Sequence, residues 1–175
     1  VFDGINLQSF VLIRFIENIN KELFYKSGGG ITSDSITKQE YEELLNKVDS
    51  RIIKGIAHRG LHNEIYTENG LKAFKNALDN NLAIELDIHL TKDKKLVVCH
   101  DSNLKRTTNK EGIIEELTLE EIENNYTLLD GGKIPTLEDV LSLVNEQVPL
   151  VIELKVENKN YKELGDITRI ELGKR

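Results

Sequence analysis

Glu85 and Asp87 stand two residues apart in the otherwise apolar run Ala83-Ile84-Glu85-Leu86-Asp87-Ile88-His89. Alternate residues of a strand point to one face, so the two carboxylates lie side by side. Like charges on a hydrophobic strand repel each other unless a cation or paired positive groups hold them. Lys and Arg are absent from Ala83 to Thr91, which favours a cation site. All-oxygen ligands suit Mg²⁺ or Ca²⁺ better than zinc. His89 shares that face and reads as a core or supporting side chain rather than a ligand.

Two further apolar runs break off at a histidine: Gly55-Ile56-Ala57-His58-Arg59-Gly60 and Leu96-Val97-Val98-Cys99-His100-Asp101. Imidazoles at nearby strand ends can pass protons near neutral pH. Arg59 can neutralise a phosphate, and Gly60 lets the chain turn. Each run also has a plain structural explanation, namely a loop histidine beside a surface arginine and an Asp turn after a strand. Glu153 and Lys155 share one face of Pro149-Leu150-Val151-Ile152-Glu153-Leu154-Lys155. They either neutralise each other or supply a third metal oxygen and a phosphate-binding cation. Taken together, these residues read as a metal-assisted hydrolase site.

The elements that must position these groups are strands alternating with helices. Strands are predicted over residues 52–57, 83–90, 95–99 and 149–155. A helix over Glu68–Asn80 would place Leu71, Phe74, Ala77 and Leu78 on one face. Thr118-Leu119-Glu120-Glu121 is a capping box opening a short helix, and Thr136 is the N-cap of another with Leu137, Val140, Leu141 and Val144 as its apolar face. Strands apolar throughout and alternating with helices predict a parallel sheet buried on both faces. The tail from Val156 to Arg175 is polar and carries little signal.

Residues 1–50 differ. An apolar-periodic stretch from Leu7 to Phe24 predicts a helix that Gly28-Gly29-Gly30 ends. The capping box Thr37-Lys38-Gln39-Glu40 predicts a second helix through Val48. No chemistry is visible there, so the segment reads as a helical extension packed on a main domain of residues 51–175.

The length of 175 residues allows one domain with a proper core and a small appendage. A net charge of −7 with no long basic block argues against nucleic-acid binding and against docking on anionic membranes. Phe10–Ile16 is too short to span a bilayer and contains Arg14, so no stable membrane insertion is expected. It also lacks the features of a signal peptide, although a chain starting at Val1 leaves room for a removed upstream segment. The lone Cys99 forms no internal disulfide, which points to a reducing, cytoplasmic setting.

GIAHRG, the Glu68-Asn69 pair, IELDIHLTKD, LVVCHDSNLKRTT, KIPTLEDVL and LVIELK follow one another in an order that resembles the glycerophosphodiester phosphodiesterases. The resemblance covers residues 55–155. It implies an α/β fold of the TIM-type (β/α) barrel class and cleavage of glycerophosphodiesters to glycerol 3-phosphate and an alcohol with Mg²⁺ or Ca²⁺. It makes His58 and His100 the acid/base pair and Glu85, Asp87 and Glu153 the metal ligands. It assigns Arg59 and Lys155 to the phosphate and places Glu68 just outside. It further suggests that the substrate's own glycerol hydroxyl attacks phosphorus, one histidine taking its proton and the other protonating the departing alcohol.

Two departures accompany the resemblance. The family's Pro-Glu-Asn-Thr/Ser stretch is Thr67-Glu68-Asn69-Gly70 here, which alters the loop but keeps Glu68. A closed barrel needs eight strands over roughly 250 residues, and four are visible, so only the first half is expected. The rest would be supplied by a missing C-terminal half, by a second copy in a homo-oligomer, or in part by residues 1–50. A phospholipase D-like lyase and a non-catalytic phosphate- or metal-binding module are the alternative functions.

Overall fold

A computed structural model describes residues 54–174, together with the backbone pairing of two strands nearer the N-terminus. The chain divides into two units, residues 1–50 and 51–175. In the first, β1 (Phe15–Ile19) pairs antiparallel with β2 (Glu22–Lys26), Ile19 opposite Glu22. All of these residues but Tyr25 and Lys26 fall within the stretch from Leu7 to Phe24 expected to be helical, and that expectation is corrected for them. Phe15, Ile16, Ile19, Phe24 and Tyr25 favour strands, and the two-residue link Asn20-Lys21 is a hairpin signal that competes with the helical period. The helix expected over residues 37–48 lies outside the described residues.

The second unit follows the predicted alternation. Its elements are β3 (Ile56–Ala57), α1 (Leu71–Asp79), β4 (Ala83–Leu90), β5 (Leu96–Val98), α2 (Lys105–Thr108), a single 3₁₀ turn (Ile114–Glu116), α3 (Leu119–Asn125), α4 (Leu137–Val144), β6 (Leu150–Leu154) and α5 (Tyr161–Leu172). Both capping boxes form: Thr118 accepts from the Glu121 amide and Thr136 from the Asp139 amide, each acid reaching back to the cap. Helix α1 begins at Leu71 rather than Glu68 because the preceding polar side chains are engaged elsewhere. Asn69 bonds Asp87, and Glu68 bonds two arginines.

β4 is the centre of the sheet. β3 and β6 pair with it in parallel, β6 from Leu150 opposite Ile84 to Leu154 opposite Ile88. β5 pairs with it antiparallel, Ile88 opposite Val98 and Leu90 opposite Leu96. The all-parallel expectation is therefore corrected. Only residues 91–95 separate these strands, enough for a hairpin but far short of the dozen or more a parallel crossover requires. β6 overlaps both β3 and β5 along β4, so those two share its opposite edge.

The alternation along β4 sorts its side chains. Ile84, Leu86, Ile88 and Leu90 are buried with Phe74 and Ala77 of α1 and Leu137, Val140 and Val144 of α4. Each large aliphatic side chain buried this way contributes about 1.5–3 kcal/mol. Glu85, Asp87 and His89 occupy the other face. A second cluster, including Val97, Cys99, Leu104, Ile114 and Ile122, supports the segment between β5 and α4. Helix α5 covers part of the polar tail in which no element was anticipated; it buries Leu164 and Thr168 but exposes Ile170 and Leu172.

Candidate active site where the ends of β3 and β6 meet β4

His58, Arg59 and Gly60 leave the carboxyl end of β3 in a tight turn. Arg59 and Gly60 both take left-handed backbone, at φ 57° and 80°. The turn aims the Arg59 amide at β4, where it donates to Glu85 Oε2 at 2.8 Å. The Arg59 side chain runs the other way, with Nη1 3.0 Å from Glu68 Oε1 and Nε 3.5 Å from Asp87 Oδ2. His58 Nε2 lies 3.9 Å from Glu85 Oε2 and its side chain is largely exposed.

Asp87 is fully buried and heavily partnered. Asn69, itself left-handed and buried, donates from Nδ2 to Asp87 Oδ2 at 2.9 Å and accepts from the Asp87 amide at 3.3 Å. Asp87 Oδ1 lies 3.0 Å from Lys155 Nζ, which also donates to Glu153 Oε1 at 2.8 Å. The lack of Lys and Arg within β4 thus does not leave the acids unpaired, since cations arrive from the ends of its two parallel neighbours. Removing one partner of a buried ion pair costs about 3–5 kcal/mol, so these contacts hold Asp87 firmly.

Glu85, Asp87 and Glu153 bring carboxylate oxygens within 4.8 Å of one another. Burial pushes the Glu85 carboxyl above the usual carboxylate range, with the Asp87 charge adding to the effect. Burial works against the Lys155 charge as well, but its contacts with Glu153 and Asp87 prevail and hold the ammonium above its usual value. A divalent cation fits this donor set. The buried Asp87 Oδ1 accepts no well-aligned hydrogen bond. Five carboxylates, those of Glu68, Glu85, Asp87, Asp101 and Glu153, face three cations, Arg59, Arg106 and Lys155. The excess of two negative charges equals that of one such ion.

His100 follows β5, its Nδ1 2.6 Å from Asp101 Oδ1. With Asp101 accepting at Nδ1, the proton-bearing tautomer leaves Nε2 free. Arg106 donates to Asp101 at 2.6 Å and to both Glu68 oxygens at 2.8 Å. The Arg106 hydrogen bond, reinforced by His100, holds the Asp101 carboxyl down at about 2. The same arginine keeps Glu68 below the ordinary carboxylate range. His89 is buried, with Nδ1 2.7 Å from Glu115 and Nε2 3.1 Å from the His100 carbonyl, a supporting place like that expected for it.

Of the eight residues singled out by sequence, His58 and Arg59 follow β3, His100 follows β5, Glu153 and Lys155 mark the end of β6, Glu85 and Asp87 stand within β4, and Glu68 reaches them through Arg59. Asn69, Asp101 and Arg106 complete the network, and sequence reasoning gave them no role. Asn69 and Arg106 stand inside motifs that carry the family resemblance, and Asp101 stands where an Asp turn is the plain structural alternative.

Fold and site together define an α/β protein with an acid-rich, charge-paired centre where the carboxyl ends of β3 and β6 meet β4. Residues 58–172 match the model of the glycerophosphoryl diester phosphodiesterase family, and the chain belongs to that family. A glycerophosphodiester phosphodiesterase of Bacillus altitudinis is 39% identical over 119 residues, covering 64% of this chain and 48% of the relative. The chain spans about half the length of the curated relatives it matches. A phosphodiesterase of Oleispira antarctica, solved with sn-glycerol-3-phosphate, aligns with a TM-score of 0.60 at 28% identity, over 67% of this chain and 51% of that one. The glycerophosphodiester phosphodiesterase of Thermotoga maritima aligns with a TM-score of 0.58 at 36% identity, over 69% and 49% of the two chains. The second unit is accordingly the first half of a TIM-type barrel.

Residues 1–52 match a different family model, that of the chorismate binding enzymes. An uncharacterized PabA-like protein of Haemophilus influenzae is 54% identical over 48 residues, which is 27% of this chain and 15% of the relative. None of the eight site residues lies in that segment.

Proposed function

We propose that residues 58–172 carry the phosphoryl-handling half of a glycerophosphodiester phosphodiesterase centre. The observation that supports it is the Glu85–Asp87–Glu153 cluster with Arg59 and Lys155 on its border. Glu85, Asp87 and Glu153 would hold Mg²⁺ or Ca²⁺, whose bound charge lowers the cost of negative charge growing on the phosphoryl oxygens. Arg59 and Lys155 bind those oxygens and orient phosphorus between the two histidines. Either His58 or His100 accepts the proton of the substrate's glycerol hydroxyl as its oxygen bonds to phosphorus. The other histidine protonates the alcohol oxygen as its bond to phosphorus breaks. Water opening the resulting cyclic phosphate, with the histidine roles reversed, gives glycerol 3-phosphate. Asp101 keeps the His100 imidazole in the tautomer that presents Nε2. The remaining substrate contacts belong to barrel strands outside this chain.

The test is glycerol 3-phosphate release from glycerophosphodiesters by this chain with Mg²⁺, with Ca²⁺ and with chelator, beside His58→Ala and His100→Ala. Turnover that needs the metal and both histidines is expected. A cyclic phosphate as the final product from a lysolipid would favour a lyase instead. Cation binding with no turnover would replace the enzyme reading by a non-catalytic binding module.

A further inference from the structure

We propose that Arg106 is a positioning residue, a strap that ties the His100 imidazole to the Arg59 phosphate grip. The proposal rests on the phosphodiesterase reading for the roles of His100 and Arg59, while the strap itself rests on geometry. Arg106 Nη1 and Nη2 form a two-pronged fork on Glu68, each at 2.8 Å, while Nε turns to Asp101 Oδ2 at 2.6 Å. The far oxygen of Asp101 meets His100 Nδ1 at 2.6 Å, and Glu68 Oε1 also accepts from Arg59 Nη1 at 3.0 Å. One guanidinium thereby joins the loop after β5 to the loop after β3, across 38 residues of sequence.

The planar fork makes the joint directional. Both oxygens of Glu68 and one of Asp101 are fixed by three different nitrogens, so the two carboxylates hold one relative orientation. A lysine offers one point charge and cannot span both. The base of the strap is anchored as well: Leu104 belongs to the second core cluster, and Thr107, next to Arg106, is buried. Arg106 itself is half-exposed and bonds carboxylates alone, so it acts through His100 and Arg59 rather than on substrate.

The experiment is a comparison of the full chain with Arg106→Gln and Arg106→Lys by nitrogen-15 NMR of the histidine side chains. In the parent chain the His100 Nδ1–H, shielded by Asp101, gives a resolved low-field signal. Arg106→Gln removes it through exchange with water, and Arg106→Lys leaves it weakened. Where turnover is present, kcat falls roughly tenfold to a hundredfold in Arg106→Gln with KM within about twofold, and Lys restores part of it. An unchanged His100 signal in Arg106→Gln overturns the strap, as does a loss of activity confined to KM. Should Arg106→Gln not fold, a full-strength signal in Arg106→Lys overturns it equally. Loss of the signal in a chain with no turnover would sustain the strap while counting against the phosphodiesterase reading.

Discussion

Asp87 and Glu153 stand directly opposite each other on the adjacent parallel strands β4 and β6, and Lys155 bridges them at 3.0 and 2.8 Å. Like charges facing each other across a ladder destabilise a sheet. The lysine makes the pairing tolerable, and on the proposed function the same two carboxylates would serve as donors to a divalent ion.

Such an ion should therefore stabilise the fold. At a free concentration a hundred times its Kd, Mg²⁺ or Ca²⁺ is expected to add about 2.7 kcal/mol, read as a higher Tm in a thermal melt. Glu153→Gln, a substitution at an exposed position, should leave the melt without ion near the parent's and remove the ion's effect. An equal rise in Tm for both proteins would show that the cation binds elsewhere.

Acid should loosen the loop after β5 in a defined window. The Asp101 carboxyl is held at about 2 by Arg106 and His100, against roughly 3.9 in an unfolded chain. A carboxyl depressed on folding contributes stability above the unfolded value, and that contribution is lost as pH falls through the folded one. Denaturation from pH 5 to pH 2 should accordingly show a steeper loss in the parent than in Asp101→Asn. Parallel curves would refute the assignment.

Gly60→Ala should be costly. Residue 60 takes φ +80°, and an added Cβ would lie 2.9 Å from Phe74 Cδ1 and 3.0 Å from the Ala73 backbone. Left-handed strain and overpacking together amount to roughly 2–4 kcal/mol, measurable by urea denaturation. A variant as stable as the parent would mean that the turn after β3 shifts freely.

Cys99 offers a probe of the folded state. Burial raises its thiol to about 11, so alkylation at neutral pH should be slow in the native chain and fast in denaturant. Rapid labelling without denaturant would show that β5 opens readily.

How legible all this was in the sequence depended on the kind of signal. The helices after Thr118 and Thr136 were readable because a cap and its acid three residues on are local chemistry. Helix α5 was not, because Gly165 and the scattered apolar positions Leu164, Ile167 and Ile170 give a weak period. The β1–β2 hairpin read as a helix because bulky residues in a short window satisfy either period. At the site, period two along β4 was enough to pair Glu85 with Asp87. The partners of Asp87 were hidden, since Asn69 and Lys155 come from other elements and meet it only once the strands align. Arg106 was hidden for the same reason: a guanidinium in a four-residue helix reads as a surface charge until its two carboxylates are seen.

The central place of β4 also sets a hierarchy of opening. Its backbone is laddered along both edges, to β3 and β5 on one and to β6 on the other. Amides between Ile84 and Ile88 should therefore exchange with deuterium only when the whole unit comes apart, whereas those around the four-residue Arg106 helix exchange through small excursions. Glu85 and Asp87 thus ride on the part of the unit that opens last, and the strap through Arg106 ties the His100 loop to that fixed acidic floor.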